Sequence, residues 1–375
     1  AAAALPVKRF RAAAGHAAAA AAVLALALSA GAALRARAEK IPCATCSVGI
    51  VQPWIPQDDK WSGFRIRTIY QRLLAGSFAA AASGARLLLW PEAAVPDDIK
   101  TSETSLAVAE AALAELGEGG KLLAGSLDTV EEADGEARYY NTAVLFGGGG
   151  AAEGTYAKRH LVAFGEFLPL LGWMSPRTRF RWGIPPDISA GRTGRVFRAG
   201  GMAFSPLVCF EDSFGALARR DVRAGARALV NLTNDAWFDA PEEGGRRARV
   251  PWWGPQEGKG QHWANARYRA IENRVPVVRA ANTGKSGVID LTGRDAGGLP
   301  AGPGGGAFEV AYPSAAPRTL YGKIGDLAGV LCLACSFAAA LFGAGPARAV
   351  AASVRRGAAA ARLAALRRRG SSPSG

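Results

Sequence analysis

Three apolar runs constrain this chain most: "ARLLLWPE" (85–92), "GMAFSPLVCF" (201–210) and "ALVNLTND" (228–235). Their apolar stretches are continuous rather than alternating, so each is expected to be covered on both faces, as central strands of a largely parallel sheet are. Helical periodicity fills the intervals. Residues 62–82 place Phe64, Ile66, Ile69, Leu73 and Leu74 on one face, and 104–116 form a second helix stopped by Gly117. Further helices are expected near 213–224 and over 261–273. Shorter strands are expected at 47–52, 121–127, 139–146, 154–161, 276–282 and 286–293, several separated only by turn residues. Strand–helix–strand alternation with a hairpin in each half predicts an α/β fold of two sheets packed face to face, with helices outside.

Several of these segments end in reactive groups. Glu92 follows "LLLWP", Lys158, His160 and Glu166 stand in "YAKRHLVAFGEF", and Cys209 and Glu211 follow "SPLV". A thiol with an ordinary pKa of about 8.5 is mostly protonated at neutral pH. To act as a nucleophile it needs a base for its proton or a cation for the thiolate. Glu92 offers the base, and Lys158 offers a cation that also suits an oxyanion. His160 is two residues from Lys158, so in a strand both side chains share a face. It is the alternative base of a Cys–His pair, although a structural role is favoured because Glu92 fills that place. His262, in an apparent helix, reads as packing. No GxSxG elbow is present, which argues against a serine lipase.

The net charge of +14 belongs to the ends: residues 1–40 carry +5 and 343–375 carry +7, so the body is nearly neutral. A nucleic-acid binder concentrates Lys and Arg on its folded domain, so no nucleic-acid partner is expected. Residues 12–34 run 23 positions without formal charge, enough to cross a bilayer, with a signal-like segment as the competing reading. Leu327 to Phe342, 16 uncharged residues, extends to about 20 through Ala347 and is followed only by arginines. Those arginines predict a cytoplasmic tail, and with two spans the body lies on the outer face. Cys43 and Cys46 form a CxxC that either pairs or merely packs, and Cys332 and Cys335 read as helix packing. With the second CxxC inside an apolar helix, no metal site is expected. Leu170, Leu171 and Trp173 in one loop, with Trp237, Phe238, Trp252 and Trp253 in another, either dip into lipid or fold onto the domain.

The motifs "WPE", "KRHLVAFGEF", "VCFEDSF", "NLTNDAWF" and "QHWANARYRAIENRVPVVRAANTGKSGVID" resemble, in order and spacing, those of the carbon–nitrogen hydrolase (nitrilase) superfamily. More narrowly they resemble the apolipoprotein N-acyltransferase family, from about Val48 to "TLYGKIGD" before the last apolar segment. The resemblance implies a nitrilase-like αββα sandwich over 41–323. It would be preceded by a segment (1–40) with a transmembrane helix at 12–34, and followed by a second span at 324–347 and a basic tail at 348–375. It implies Cys209 as nucleophile, Glu92 as general base and Lys158 as oxyanion stabiliser helped by the Phe210 backbone N–H. Glu166 would orient Lys158, and Glu211 would line the same site.

The reaction so implied moves an acyl chain from a phospholipid, through a cysteine thioester, to the amine of a diacylglyceryl apolipoprotein. It needs no cofactor or metal. The setting would be a monomeric, multi-pass enzyme of the bacterial inner membrane with its catalytic domain on the periplasmic face. A membrane-tethered amidase and a silent scaffold are the competing readings. Four departures from the family stand out: one N-terminal membrane helix where several are usual, Ala163 where Pro is common, Phe210 where Tyr is common, and a longer insert after "TNDAWF" that carries "RRAR" and "WW". The single helix allows either a truncated chain or a shortened member.

Overall fold

The structure, a computed structural model, describes residues 4–57, 59–60, 63–131, 137–169, 187–239, 242–243, 246–247 and 255–342. After a long helix α1 (Ala4–Ala38) the chain lays down β1 (Cys43–Gln52), α2 (Ile66–Ala82), β2 (Leu87–Trp90), α3 (Glu103–Ala114), β3 (Lys121–Glu131), β4 (Ala137–Phe146) and β5 (Ala152–Ala157). The second half gives β6 (Phe197–Ala199), β7 (Met202–Val208), α4 (Gly215–Arg223), β8 (Ala228–Thr233), a ribbon of β9 (Glu242–Glu243) and β10 (Arg246–Arg247), and α5 (Pro255–Asn273). It closes with β11 (Val277–Ala281), β12 (Gly287–Ile289), β13 (Asp295–Gly298), β14 (Gly304–Pro313) and α6 (Leu320–Ile324). A separate unit from Ile324 onward contains α7 (Leu327–Phe342).

Two six-stranded sheets result, ordered β14-β1-β2-β3-β4-β5 and β13-β12-β11-β8-β7-β6. The apolar runs behave as continuous runs should. In β2, Leu87 and Leu89 enter the core between the sheets, while Leu88 and Trp90 face the helices α2 and α3. In the second sheet Val208, Val230, Leu232 and Val278 meet them from the other side. Leu207, Leu229 and Val277 pack outward against α4 and α5. Period-two alternation therefore splits each strand between two cores, which makes the αββα sandwich.

The expected elements shift in instructive places. The helix expected from residue 62 begins at Ile66, and Phe64 is 98 % exposed rather than on its apolar face. The strand expected over 154–161 ends at Ala157, so Lys158 and His160 do not share a strand face; Lys158 is buried and His160 exposed. The strand expected over 201–210 stops at Val208, and Cys209–Ser213 form a 3-10 turn. Five short or glycine-rich strands have no counterpart among the expected ones: β6, β9, β10, β13 and β14. β14 pairs with all ten residues of β1, although "GPGGGAF" reads as turn. Its glycines serve packing: a Cβ on Gly305 would sit 1.9 Å from the Gly76 carbonyl of α2. The helix can cross this strand only where the side chain is missing.

All five cysteines are free. Cys43 and Cys46 are three apart on β1, on opposite faces, with Cys46 buried and Cys43 exposed. One described helix is long and apolar enough to cross a membrane, over Ala17–Ala38, 22 residues of mean hydropathy 2.1 with none of the window buried. α7 has 16 residues, short for a span, and residues 343–347, expected to extend it, lie outside the described residues. The tail 348–375 lies outside them too.

Candidate active site

Parallel strands place the reactive groups. In open α/β sheets, ligands sit beyond the carboxyl ends of the parallel strands, and Glu92 follows β2 in one sheet as Cys209 follows β7 in the other. Lys158 follows β5, held by its own N–H to the Asn141 carbonyl at 2.8 Å. These three residues line a single cavity of about 970 Å³, together with Lys60, Asn141, Glu166, Phe210, Trp237, Phe238 and His262. Glu92 reaches it because the chain crosses tightly over β3 at Gly125, where a Cβ would sit 2.2 Å from the Pro91 carbonyl and 2.7 Å from Glu92 Cα.

Glu92 is 7 % exposed. Its Oε1 accepts from Asn141 Nδ2 at 2.8 Å and lies 3.5 Å from Lys158 Nζ. Its Oε2 is buried and accepts no hydrogen bond from the described residues. That oxygen has the free lone pair a base requires. Burial alone would raise the Glu92 pKa, but the charges of Lys158 and Lys60 and the bond from Asn141 outweigh it and hold the carboxyl below its usual range. Glu166 ties Lys158 down: Oε1 accepts from Lys158 Nζ at 2.9 Å and from Asn141 Nδ2 at 3.0 Å, and Oε2 accepts from the Val162 N–H at 2.8 Å.

Cys209 has φ +52°. A side-chain-bearing residue in the left-handed region costs about 1–3 kcal/mol and tends to mark a functional turn. Burial pushes its thiol up to about 12, helped by the negative charge of Glu92 and only partly countered by Lys158. Cys209 therefore rests as a thiol, and a thiol in that state attacks only where a base takes its proton as the new bond forms.

Other expected residues fall in different places. Phe210 lines the cavity and packs edge-on against Phe214 at 5.3 Å. Glu211 does not line the cavity, because the 3-10 turn carries its side chain back into the core. There it accepts from the N–H groups of Val208, Arg159 and His160 and from the Tyr156 hydroxyl, at 2.7–3.1 Å. It thus braces the Lys158 segment against the Cys209 turn. The His160 ring lies 3.7 Å from that of Phe214, away from the thiol's partners. Trp237, 64 % exposed, and Phe238 lie at the cavity, whereas Leu170, Leu171, Trp173, Trp252 and Trp253 lie outside the described residues. Among the described residues no group of three or more His, Cys, Asp or Glu side chains is arranged to hold a metal ion.

The carbon–nitrogen hydrolase family model matches residues 16–312. The chain belongs to the carbon–nitrogen hydrolase family. It is 35 % identical over 259 residues to an apolipoprotein N-acyltransferase of Brucella melitensis, covering 68 % of this chain and 45 % of that one. It is 35 % identical over 300 residues to an apolipoprotein N-acyltransferase of Geobacter metallireducens, covering 78 % and 52 %. The chain thus spans about half the length of these curated relatives. The crystal structure of the C. elegans NitFhit protein superposes with a TM-score of 0.50 at 17 % identity, over 71 % of this chain and 60 % of that one, a likeness of fold.

Two further cavity residues touch Glu92, and neither stands in a motif that the sequence marks. Asn141 bridges Glu92 and Glu166. Lys60 is 5 % exposed and donates to the Glu92 main-chain carbonyl at 2.8 Å. Its segment is fastened by Asn282, which exchanges hydrogen bonds with the Ile55 backbone, and by the Asn234–Gln57 contact at 2.7 Å. Burial lowers the Lys60 pKa to about 8, with Glu92 and Cys209 opposing that shift.

Lys60 helps keep Glu92 ionised, so removing its charge raises the Glu92 pKa. Lys60→Met is expected to move the acid limb of Cys209 acylation to higher pH, with the plateau rate less affected. The check is a pH–rate profile of acylation followed by intact mass, and an unmoved limb contradicts the assignment.

Proposed function

We propose that this chain transfers a fatty acyl group from a phospholipid, through a thioester on Cys209, to the α-amine of a diacylglyceryl-cysteine apolipoprotein. The observation that carries the reading is the pair of groups at the strand ends, the buried Glu92 and the half-buried Cys209. A thiol on a left-handed turn faces a carboxylate with one unpaired oxygen, beside a clamped lysine, in a cavity with apolar walls. The names of the curated relatives direct that chemistry toward lipoprotein N-acylation.

Glu92 Oε2 takes the thiol proton as sulfur attacks the ester carbonyl. Lys158 Nζ and the Phe210 N–H balance the oxyanion. The tetrahedral adduct collapses by breaking the ester C–O bond, and Glu92 returns the proton to the departing lysophospholipid hydroxyl. In the second half the neutral amine attacks the thioester, Glu92 accepts the amine proton, the C–S bond breaks, and Glu92 passes that proton to the leaving sulfur, which regenerates both the thiol and the carboxylate. A thioester is reactive enough to acylate an amine, and apolar walls slow its loss to water. Leu127, Val162, Ile188, Phe238 and the exposed rings of Trp237 and Phe210 suit an acyl chain arriving from a bilayer. In this reading α1 and residues 324–347 both span the inner membrane, the catalytic domain faces the periplasm, and the enzyme acts as a monomer.

The competing reading is hydrolysis, with water resolving the acyl-enzyme. Incubation with phospholipid, with and without a diacylglyceryl-cysteine lipopeptide, separates the two. Acyl transfer predicts N-acylated lipopeptide and lysophospholipid turnover that depends on the amine. Free fatty acid released at the same rate without lipopeptide, and no amide product, favours the hydrolase.

A further inference from the structure

Behind Cys209 lies a charge cluster that the proposed chemistry does not use. Asp212, Asp235 and Arg279 are fully buried and His262 is 5 % exposed. They come from four places: the turn after β7, the turn after β8, β11 and α5. Arg279 grips both oxygens of Asp235 at 2.9–3.0 Å, and its Nε donates to Asn231 Oδ1 at 3.2 Å. His262 Nδ1 lies 2.9 Å from Asp235 Oδ1 and equally close to Arg279 Nη2.

The cluster converges on one atom, the main-chain carbonyl oxygen of Cys209. Asn231 Nδ2 donates to it at 2.9 Å, and His262 Nε2 lies 3.1 Å from it. This is the carbonyl of the residue held at φ +52°. Left-handed backbone persists at a residue with a side chain only where the surroundings enforce it, and these two donors bind the peptide group that must be held.

Charge decides the state of the imidazole. Neither oxygen of the buried Asp212 carboxylate accepts a hydrogen bond from the described residues, yet His262 Nε2 lies 3.1 Å from its Oδ1. Asp212 therefore faces the same Nε2 edge of the ring as the Cys209 carbonyl does. A buried carboxylate left in that condition demands a nearby cation. Arg279 is committed to Asp235, so two carboxylates and one guanidinium leave one negative charge to be matched. An imidazolium matches it, with Nδ1–H toward Asp235 and Nε2–H toward Cys209.

We propose that His262 is a positioning residue of the active site: as an imidazolium between Asp212 and Asp235, it donates to the Cys209 carbonyl and holds the nucleophile's turn in its left-handed form. The inference rests on Cys209 being the nucleophile. Burial by itself would lower the His262 pKa; the two aspartates reverse that against the opposing charge of Arg279 and bring it to about 9. The imidazolium is therefore intact at neutral pH. As pH rises through about 9 it loses its proton, Asp212 loses its counter-charge and the turn loosens. The groups facing the ring are Asp212, Asp235, Arg279 and Cys209, and Lys60, Glu92 and Lys158 share the cavity.

The test uses p-nitrophenyl butyrate, an activated ester that acylates a thiol without any lipid, and reads the nitrophenolate burst of the full chain. His262→Ala is expected to slow the burst about 100-fold with little change in the ester concentration giving half-maximal rate. His262→Gln keeps a neutral N–H within reach of the carbonyl; it is expected to recover at least about tenfold of that loss and to lack the wild-type alkaline limb near pH 9. In parallel, ¹⁵N spectra of the chain's three histidines should show one imidazolium persisting at pH 8, absent from His262→Gln.

His262→Ala within threefold of wild type overturns the proposal, as does a neutral His262 at pH 8. So does an alkaline limb retained in His262→Gln, which would belong to another group such as Lys60. If His262→Ala fails to fold, the glutamine variant and the spectra decide. A burst with the ester but no acylation by phospholipid would overturn the lipid donor and leave this inference in place.

Discussion

Glu92→Gln is expected to slow acylation of Cys209 by about 10²–10⁴-fold, the range a positioned general base supplies. The substitution is nearly isosteric, and the geometry shows what survives it. The amide oxygen can still accept from Asn141 Nδ2, now 2.8 Å from Oε1, and Lys158 keeps its 2.9 Å bond to Glu166. What is lost is the unpaired Oε2, which becomes an NH₂ donor with no lone pair for a proton. The thiol, pushed up to about 12 by burial and the Glu92 charge, has no ionised fraction of consequence at neutral pH. Removing the Glu92 charge lets the thiol pKa fall somewhat, but the group that receives the proton is gone. The measurement is single-turnover acylation by intact mass, with a thermal melt to show that the fold is kept. A folded variant that acylates within threefold of wild type would contradict the base assignment.

Cys209→Ser is expected to cost about 10³-fold or more in turnover, since removing a nucleophile typically costs at least that. The hydroxyl fits the space, and the φ of +52° is no harder for serine than for cysteine. The chemistry differs. A hydroxyl is far less acidic than a thiol, and an oxygen ester acylates an amine far more slowly than a thioester. Amide product formation from phospholipid and lipopeptide provides the check. Turnover retained within tenfold would remove Cys209 from the reaction path.

Much of this site could be read in the sequence because its groups end apolar runs. A run covered on both faces must be a central strand, and its last residue must lie at the sheet's carboxyl edge, which located Glu92 and Cys209. Glu166 was legible through its motif, and it does clamp Lys158. Lys60 was not legible: "IPQDDKW" has no periodicity, and the lysine is buried only because Asn282 and Asn234, more than 170 residues away, fasten that segment across the sheets. His262 read as packing because helical position reports burial and not its partners. Asp212, Asp235 and Arg279 reach the ring from three other elements. β14 was hidden by its glycines, whose value lies in a close crossing by α2 that no local pattern announces. Strand ends were also missed: the chain leaves β5 at Ala157, and that turn buries Lys158 while exposing His160.

The central claim is that the sulfur of Cys209 carries the acyl group. Incubating the wild-type chain with a phospholipid of defined acyl composition, without an amine acceptor, and measuring its intact mass tests this directly. The expected result is a mass increase of one acyl chain, mapped to the peptide containing Cys209 and released by neutral hydroxylamine as thioesters are. Lysophospholipid appearing with no adduct, or an adduct mapped to any other residue, would contradict it.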